Sequence, residues 1–213
     1  MNCSLGVLFL VKGEMAKAIS ALERSLKFCH SASIPVYVPF VASRLGAAYA
    51  ASGRVSEGLR FLEQGAGNFT AVGRVGFLSL SMVWLGEGYL LSGRVEESGA
   101  LAERALDLST KHAERGHEAW ALKLLGDISL QCKPAKAEEA EDYYRRAYAL
   151  SHELGMRPLQ AHCHVGLSHI YAVDENIEQA RGELAAAIDL YRSLEMTFWL
   201  PGAEAALARL SKN

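Results

Sequence analysis

Glu87 and Asp127 stand 40 residues apart, and paired carboxylates on neighbouring helices are the residue types that general acid–base hydrolysis uses. A second cluster, His162-Cys163-His164 with His152 and His169 nearby in sequence, offers the imidazole and thiol donors that zinc takes. Neither pattern holds up as chemistry. Acidic residues at one position of successive helical repeats are ordinarily solvated or meet a basic partner. On a helix, residues one and two apart point in different directions, so His162 and His164 do not chelate one ion. His162 and His169 share a face but lie two turns apart. The chain contains no G-x-x-x-x-G-K-[ST] phosphate loop, nucleophile elbow, cysteine–histidine motif or cofactor fingerprint. The expectation is a protein without catalytic residues, cofactor or metal.

Large side chains offer recognition instead. In register, Phe40, Leu80, Trp120 and His162 make one row, and Ser43, Val83, Lys123 and Val165 a second. Arg44, Trp84, Leu124 and Gly166 make a third, and Ala47, Glu87, Asp127 and His169 a fourth. Together they describe an apolar, aromatic groove edged by two carboxylates, a lysine and an arginine. Such a groove suits an amphipathic helix or extended peptide anchored by large side chains. The competing reading is that long helices pack these residues, Trp84 and Trp120 above all, against one another.

The register comes from a repeat. Gly6, Gly46, Gly86 and Gly126 are each 40 residues apart, and Ser168 follows 42 later. Each sits in one phrase: Leu5-Gly6-x-x-Phe9, Leu45-Gly46-x-x-Tyr49, Leu85-Gly86-x-x-Tyr89, Leu125-Gly126-x-x-Ser129 and Leu167-Ser168-x-x-Tyr171. Gly13, Gly53 and Gly93 keep step seven residues on, and Ala18, Gly58, Ser98, Ala140 and Ala180 mark a third beat. A period between 20 and 50 residues means stacked repeats.

Each repeat reads as two antiparallel helices. Pro39 fits a first helical turn, Gly53 and Gly93 fit left-handed terminators, and apolar residues such as Ala18/Leu22/Leu26 recur at helical spacing. The expected helices span 1–12, 14–31, 36–52, 54–69, 74–92, 94–113, 115–131, 135–154, 158–173, 176–194 and 200–211. In the fourth repeat Cys132-Lys133-Pro134-Ala135 replaces the glycine, and Pro134 is expected to start the next helix. Glycine inside a helix costs about 1 kcal/mol against alanine, so its recurrence asks for a packing reason. A close helix crossing, with Tyr49 beside Gly46 and Tyr89 beside Gly86 filling the space, supplies one.

With 22 basic and 24 acidic residues and no basic run beyond Arg145-Arg146, the chain lacks the positive stripe that nucleic acid requires. Cys3, Cys29, Cys132 and Cys163 are scattered and read as reduced thiols. The apolar Leu5–Val11 stretch has no basic residue before it and no small-x-small site after it. It is also too short to span a bilayer. These features lead us to expect a cytoplasmic protein with no membrane partner. The first helix is apolar nearly all round, which calls for cover by an upstream helix or by self-association. The last helix, with Glu204, Arg209 and Lys212, reads as a polar cap.

The Leu-Gly-x-x-Tyr phrase, the turn glycine and the small residue of the second helix resemble the tetratricopeptide repeat along essentially the whole chain. More narrowly, His112 to Ile128 and Tyr143 to Leu207, with HELGMRPLQAHCHVGLSHIYA and LEMTFWLPGAEAAL, resemble the C-terminal region of bacterial multidomain signalling proteins. In those a class III cyclase-like domain and a P-loop ATPase precede such repeats. The resemblance implies an all-α, right-handed superhelix of about five 40-residue hairpins in a single domain, 1–213. Its repeats would span 1–33, 34–72, 73–114, 115–156 and 157–196, with a terminal helix at 199–211. It further implies first helices lining a concave face that holds a protein, a peptide or a neighbouring domain of a longer chain. The alternative it leaves is a small-molecule sensor that transmits ligand binding to an attached ATPase or cyclase module.

Overall fold

In four of the five repeats the turn after the first helix is built the same way. Gly13, Gly53 and Gly93 take φ of 78°, 87° and 80°, left-handed angles that a residue without Cβ adopts at least cost. The next amide then donates back to the residue closing the Leu-Gly-x-x phrase: Glu14 to the Phe9 carbonyl at 2.8 Å, Arg54 to Tyr49 at 3.0 Å and Arg94 to Tyr89 at 2.9 Å. The fifth repeat keeps this bond, from Asn176 to Tyr171 at 2.8 Å, with Glu175 in place of glycine at φ 58°. In the fourth, Lys136 reaches the Ser129 carbonyl at 3.1 Å.

The structure is a computed structural model that describes residues 2–71, 77–132 and 136–211. Its helices are α1 (Asn2–Lys12), α2 (Met15–Ser31), α3 (Val38–Ala51), α4 (Val55–Ala71), α5 (Leu78–Leu91) and α6 (Val95–Lys111). They continue with α7 (Arg115–Gln131), α8 (Ala137–Glu153), α9 (Arg157–Val173), α10 (Ile177–Ser193) and α11 (Leu200–Leu210). A short 3-10 turn at Pro35–Tyr37 leads into α3, whose first turn holds Pro39. Apart from the start of α5, every bound falls within two residues of the expected one. The expected starts at 74 and at Pro134 lie outside the described residues, as does Lys212. Among the described residues there is no strand.

By contacts the chain divides into two units, Met1–Lys111 and His112–Asn213. Within each, consecutive helices pack side by side, and α1 with α3, α3 with α5 and α7 with α9 also touch. Short connections make such neighbours antiparallel. Tyrosine hydroxyls of the phrase bind each first helix to the second helix of the hairpin before it. Tyr49 donates to Glu23, Tyr89 to Glu63 at 3.1 Å and Tyr171 to Glu141 at 3.0 Å.

The periodic glycines are contact points, but not against the tyrosines of their own helix. A Cβ on Gly46 would meet the Gly58 carbonyl oxygen and Leu62 Cγ at 2.7 Å, and one on Gly58 would meet the Gly46 oxygen at 2.7 Å. Tyr49 instead stacks on Phe61, with ring centroids 5.6 Å apart. A residue of the second helix therefore occupies the vacated space: Leu22 at Gly6, Leu62 at Gly46 and Tyr144 at Gly126. Their counterparts Ala102 and Leu184 are equally buried. In the third repeat Ser98 Oγ donates to the Gly86 carbonyl at 2.8 Å.

This contact predicts a pair of opposite effects. Gly46→Ala places a methyl against fixed backbone and should lower unfolding free energy by about 1–3 kcal/mol. Gly99→Ala, on α6 with nothing within 4 Å, should raise it by up to about 1 kcal/mol. Urea titrations of the two variants followed by circular dichroism check both signs.

Candidate functional site

In the first unit the candidate residues gather around one arginine. Arg44 of α3 is only 8% exposed, with Cζ 3.4 Å from the Phe40 ring centroid, 5.3 Å from Trp84 and 5.9 Å from Phe77. Phe40 and Phe77 meet edge to face at 4.6 Å. Phe77 holds a left-handed φ of 78°, a costly angle for a bulky residue. Burial lowers the Arg44 pKa to about 10, so the group stays charged at neutral pH. Of the candidate residues in this unit, Phe40, Leu80, Trp84 and Glu87 are partly exposed.

The second unit has its own aromatic wall. His162 of α9 lies 6.0 Å from Trp120, 5.6 Å from Tyr191 and 5.1 Å from Trp199 between ring centroids. Its Nδ1 is hydrogen-bonded to Tyr191 Oη at 2.9 Å. Burial, and after it the Lys123 charge, hold the imidazole down at about 3, so it is neutral at pH 7. Lys123 Nζ pairs with Asp127 at 2.7 Å, and Asp127 also accepts from Tyr144 Oη at 2.6 Å. Tyr144 is itself wedged between Gly126 of α7 and Gly166 of α9. Burial, reinforced by Asp127, raises its phenol pKa strongly.

These positions sort the expected rows. The first and fourth are accessible: Phe40, Leu80, Trp120 and His162 are partly exposed, as are Ala47, Glu87 and Asp127, and His169 is exposed. From the middle rows Ser43, Arg44, Val83, Leu124 and Gly166 are buried, while Trp84, Lys123 and Val165 are partly exposed. Ser43 spends its hydroxyl on Ser81 Oγ at 3.0 Å. Asp127 is no free base, since lysine and tyrosine both occupy it. Glu87 lies in the first unit and Asp127 in the second.

His162 and His164 diverge, the latter bonding Glu183 at 2.5 Å. No three acidic, histidine or cysteine residues converge as metal ligands among the described residues. The four cysteines are free thiols, and burial lifts that of Cys163 to about 12. Among the described residues no helix is long and apolar enough to cross a membrane. A cleft of about 430 Å³ between α10 and α11, lined by Ile188, Arg192, Glu204 and Leu207 among others, lies apart from the candidate residues. Sequence reasoning missed Tyr191, Phe198 and Trp199, which complete the second aromatic group. Phe198 and Trp199 follow the last periodic hairpin, so no register pointed to them.

No family model matches the chain, and neither does any curated protein. Solved structures do match. BtubC (BKLC) from P. vanneervenii superposes with a TM-score of 0.63 at 16% identity, covering 93% of this chain and 90% of that one. A protein of nearly identical tetratricopeptide-like repeats from Podosopora anserina gives 0.52 at 18% identity, covering 89% and 92%. The chain has a tetratricopeptide-like fold. Another solved structure, a Signal Transduction ATPase with Numerous Domains carrying a tetratricopeptide repeat sensor, comes from Pyrococcus horikoshii. It gives 0.66 at 16% identity, covering 97% of this chain but only 31% of its own. Identities this low speak for the fold alone.

Two measurements follow. Tyr144→Phe keeps the wedge but removes the bond to Asp127, and should cost about 1 kcal/mol in denaturant titration. An unfolded imidazole titrates near ~6.5, well above the folded value of about 3 for His162. The stability contributed by neutral His162 is therefore full above pH ~6.5 and is lost as pH falls toward about 3. Melting curves between pH 7 and 4 should fall less steeply for His162→Phe than for the unmodified chain.

Proposed function

We propose that this chain is a non-catalytic recognition module, a regulatory or scaffolding segment of a bacterial signalling protein that works in the cytoplasm. Partly exposed aromatic residues on its first helices hold a peptide or helix, from a separate protein or from a neighbouring domain of a longer chain. One observation carries the reading. Phe40, Leu80 and Trp84 in the first unit, and Trp120 in the second, keep exposed surface while their helical neighbours are buried. Phe and Leu are among the residues most often fully buried, so the partial exposure of Phe40 and Leu80 supports a surface role. Aromatic side chains at the surface are the usual anchors of protein recognition. In keeping with a signalling role, the Pyrococcus horikoshii neighbour joins a tetratricopeptide sensor to an ATPase, and the stretches His112 to Ile128 and Tyr143 to Leu207 resemble bacterial multidomain regulators.

Peptide display against the purified chain should enrich sequences with large apolar anchors. Trp84→Ala or Trp120→Ala should weaken the selected peptides about tenfold or more while far-ultraviolet circular dichroism shows helicity retained. Peptides bound equally well by both folded variants would remove the aromatic surfaces from the function.

A further inference from the structure

We infer that Arg44 anchors a carboxylate subsite in the first unit, taking a small organic acid whose apolar body lies on Phe40 and Trp84. This rests on reading the aromatic surface of that unit as a binding surface, and adds the chemistry of what binds. A guanidinium carries five N–H donors in a planar fork and accepts nothing. Here Phe40 and Trp84 take up its attraction for ring faces, and Nη1 donates to the Phe40 carbonyl at 2.9 Å. Nε is buried and has no hydrogen-bond partner. No Asp or Glu forms an ion pair with Arg44 among the described residues.

The titratable group that acts on Arg44 from the packed helices is Cys3 of α1. Burial, the largest influence, raises that thiol's pKa, so it supplies no anion at neutral pH. A buried cation with an unpartnered donor is costly, and an apolar residue of similar length would pack the same space without that cost. A carboxylate resolves the mismatch, because its two oxygens match the in-plane fork bidentately. Phe77, held at its left-handed angle against Phe40, fixes the ring that covers the arginine. Arg44 as a whole is only 8% exposed, so a free acid of a few carbons reaches it more closely than a carboxylate tethered to a peptide backbone.

The test is a calorimetric and thermal-melt titration of the full chain with acetate, benzoate, the neutral isostere benzamide, and a short peptide bearing one glutamate, all at ionic strength matched with chloride. Benzoate should bind and raise the melting midpoint by a few degrees, while benzamide and chloride leave it unchanged. Arg44→Met should fold with the same helicity, melt at or above the parent midpoint without acid, and bind benzoate at least tenfold more weakly. Arg44→Lys, which keeps the charge and loses the fork, should fall between. Benzoate acting no differently from benzamide in the unmodified chain overturns the inference whether or not any variant folds. So does an undiminished benzoate response in Arg44→Met, or a response to the peptide alone. If displayed peptides still need Trp84 while benzoate is ignored, the recognition surface stands and only the acid subsite falls.

Discussion

One steric exchange organises three of the hairpins: the first helix omits a side chain, and the second fills the space with a large one. Gly46 faces Leu62, Gly6 faces Leu22 and Gly126 faces Tyr144, and the three inserted residues are almost wholly buried. Close approach follows, to the point where the Gly46 and Gly58 backbones touch with no side chain between them. Closely packed helix pairs form a thin core in which the first helices keep one edge free of their neighbours.

The fourth repeat shows how the exchange takes on a polar task. Tyr144 fills the Gly126 gap as leucine does elsewhere, then continues past it to reach Asp127 and to press on Gly166 of the next first helix. That single side chain ties three helices and fixes the Lys123–Asp127 pair. Packing and surface electrostatics are thus coupled in the second unit, whereas in the first they meet in Arg44, which sits among rings without a carboxylate.

Fold and site differed in how openly the sequence displayed them. Helix bounds were legible because glycine at a left-handed turn and apolar residues at helical spacing are local signals. What Gly46 touches was not, since Gly58 and Leu62 reach it only through the pairing of helices; the nearby Tyr49 was the natural but mistaken choice. The partial exposure of Phe40, Trp84 and Trp120 agrees with the register. The burial of Ser43 and Arg44 does not follow from it, because the period fixes a helix face and not how far the adjacent helix overlaps it. Tyr191 and Trp199 escaped for another reason: they join His162 from α10 and from the segment before α11, and no earlier repeat has their counterparts.

The bond that closes each turn comes from the main chain. Phe9, Tyr49, Tyr89, Ser129 and Tyr171 all offer the same carbonyl, and their side chains are released from the joint to do other things. A hairpin copied along a gene therefore brings a working hinge-pin with it whatever substitutions later accumulate at that position. Arrays built in this way lengthen by whole modules, and their surfaces diverge while the joints endure.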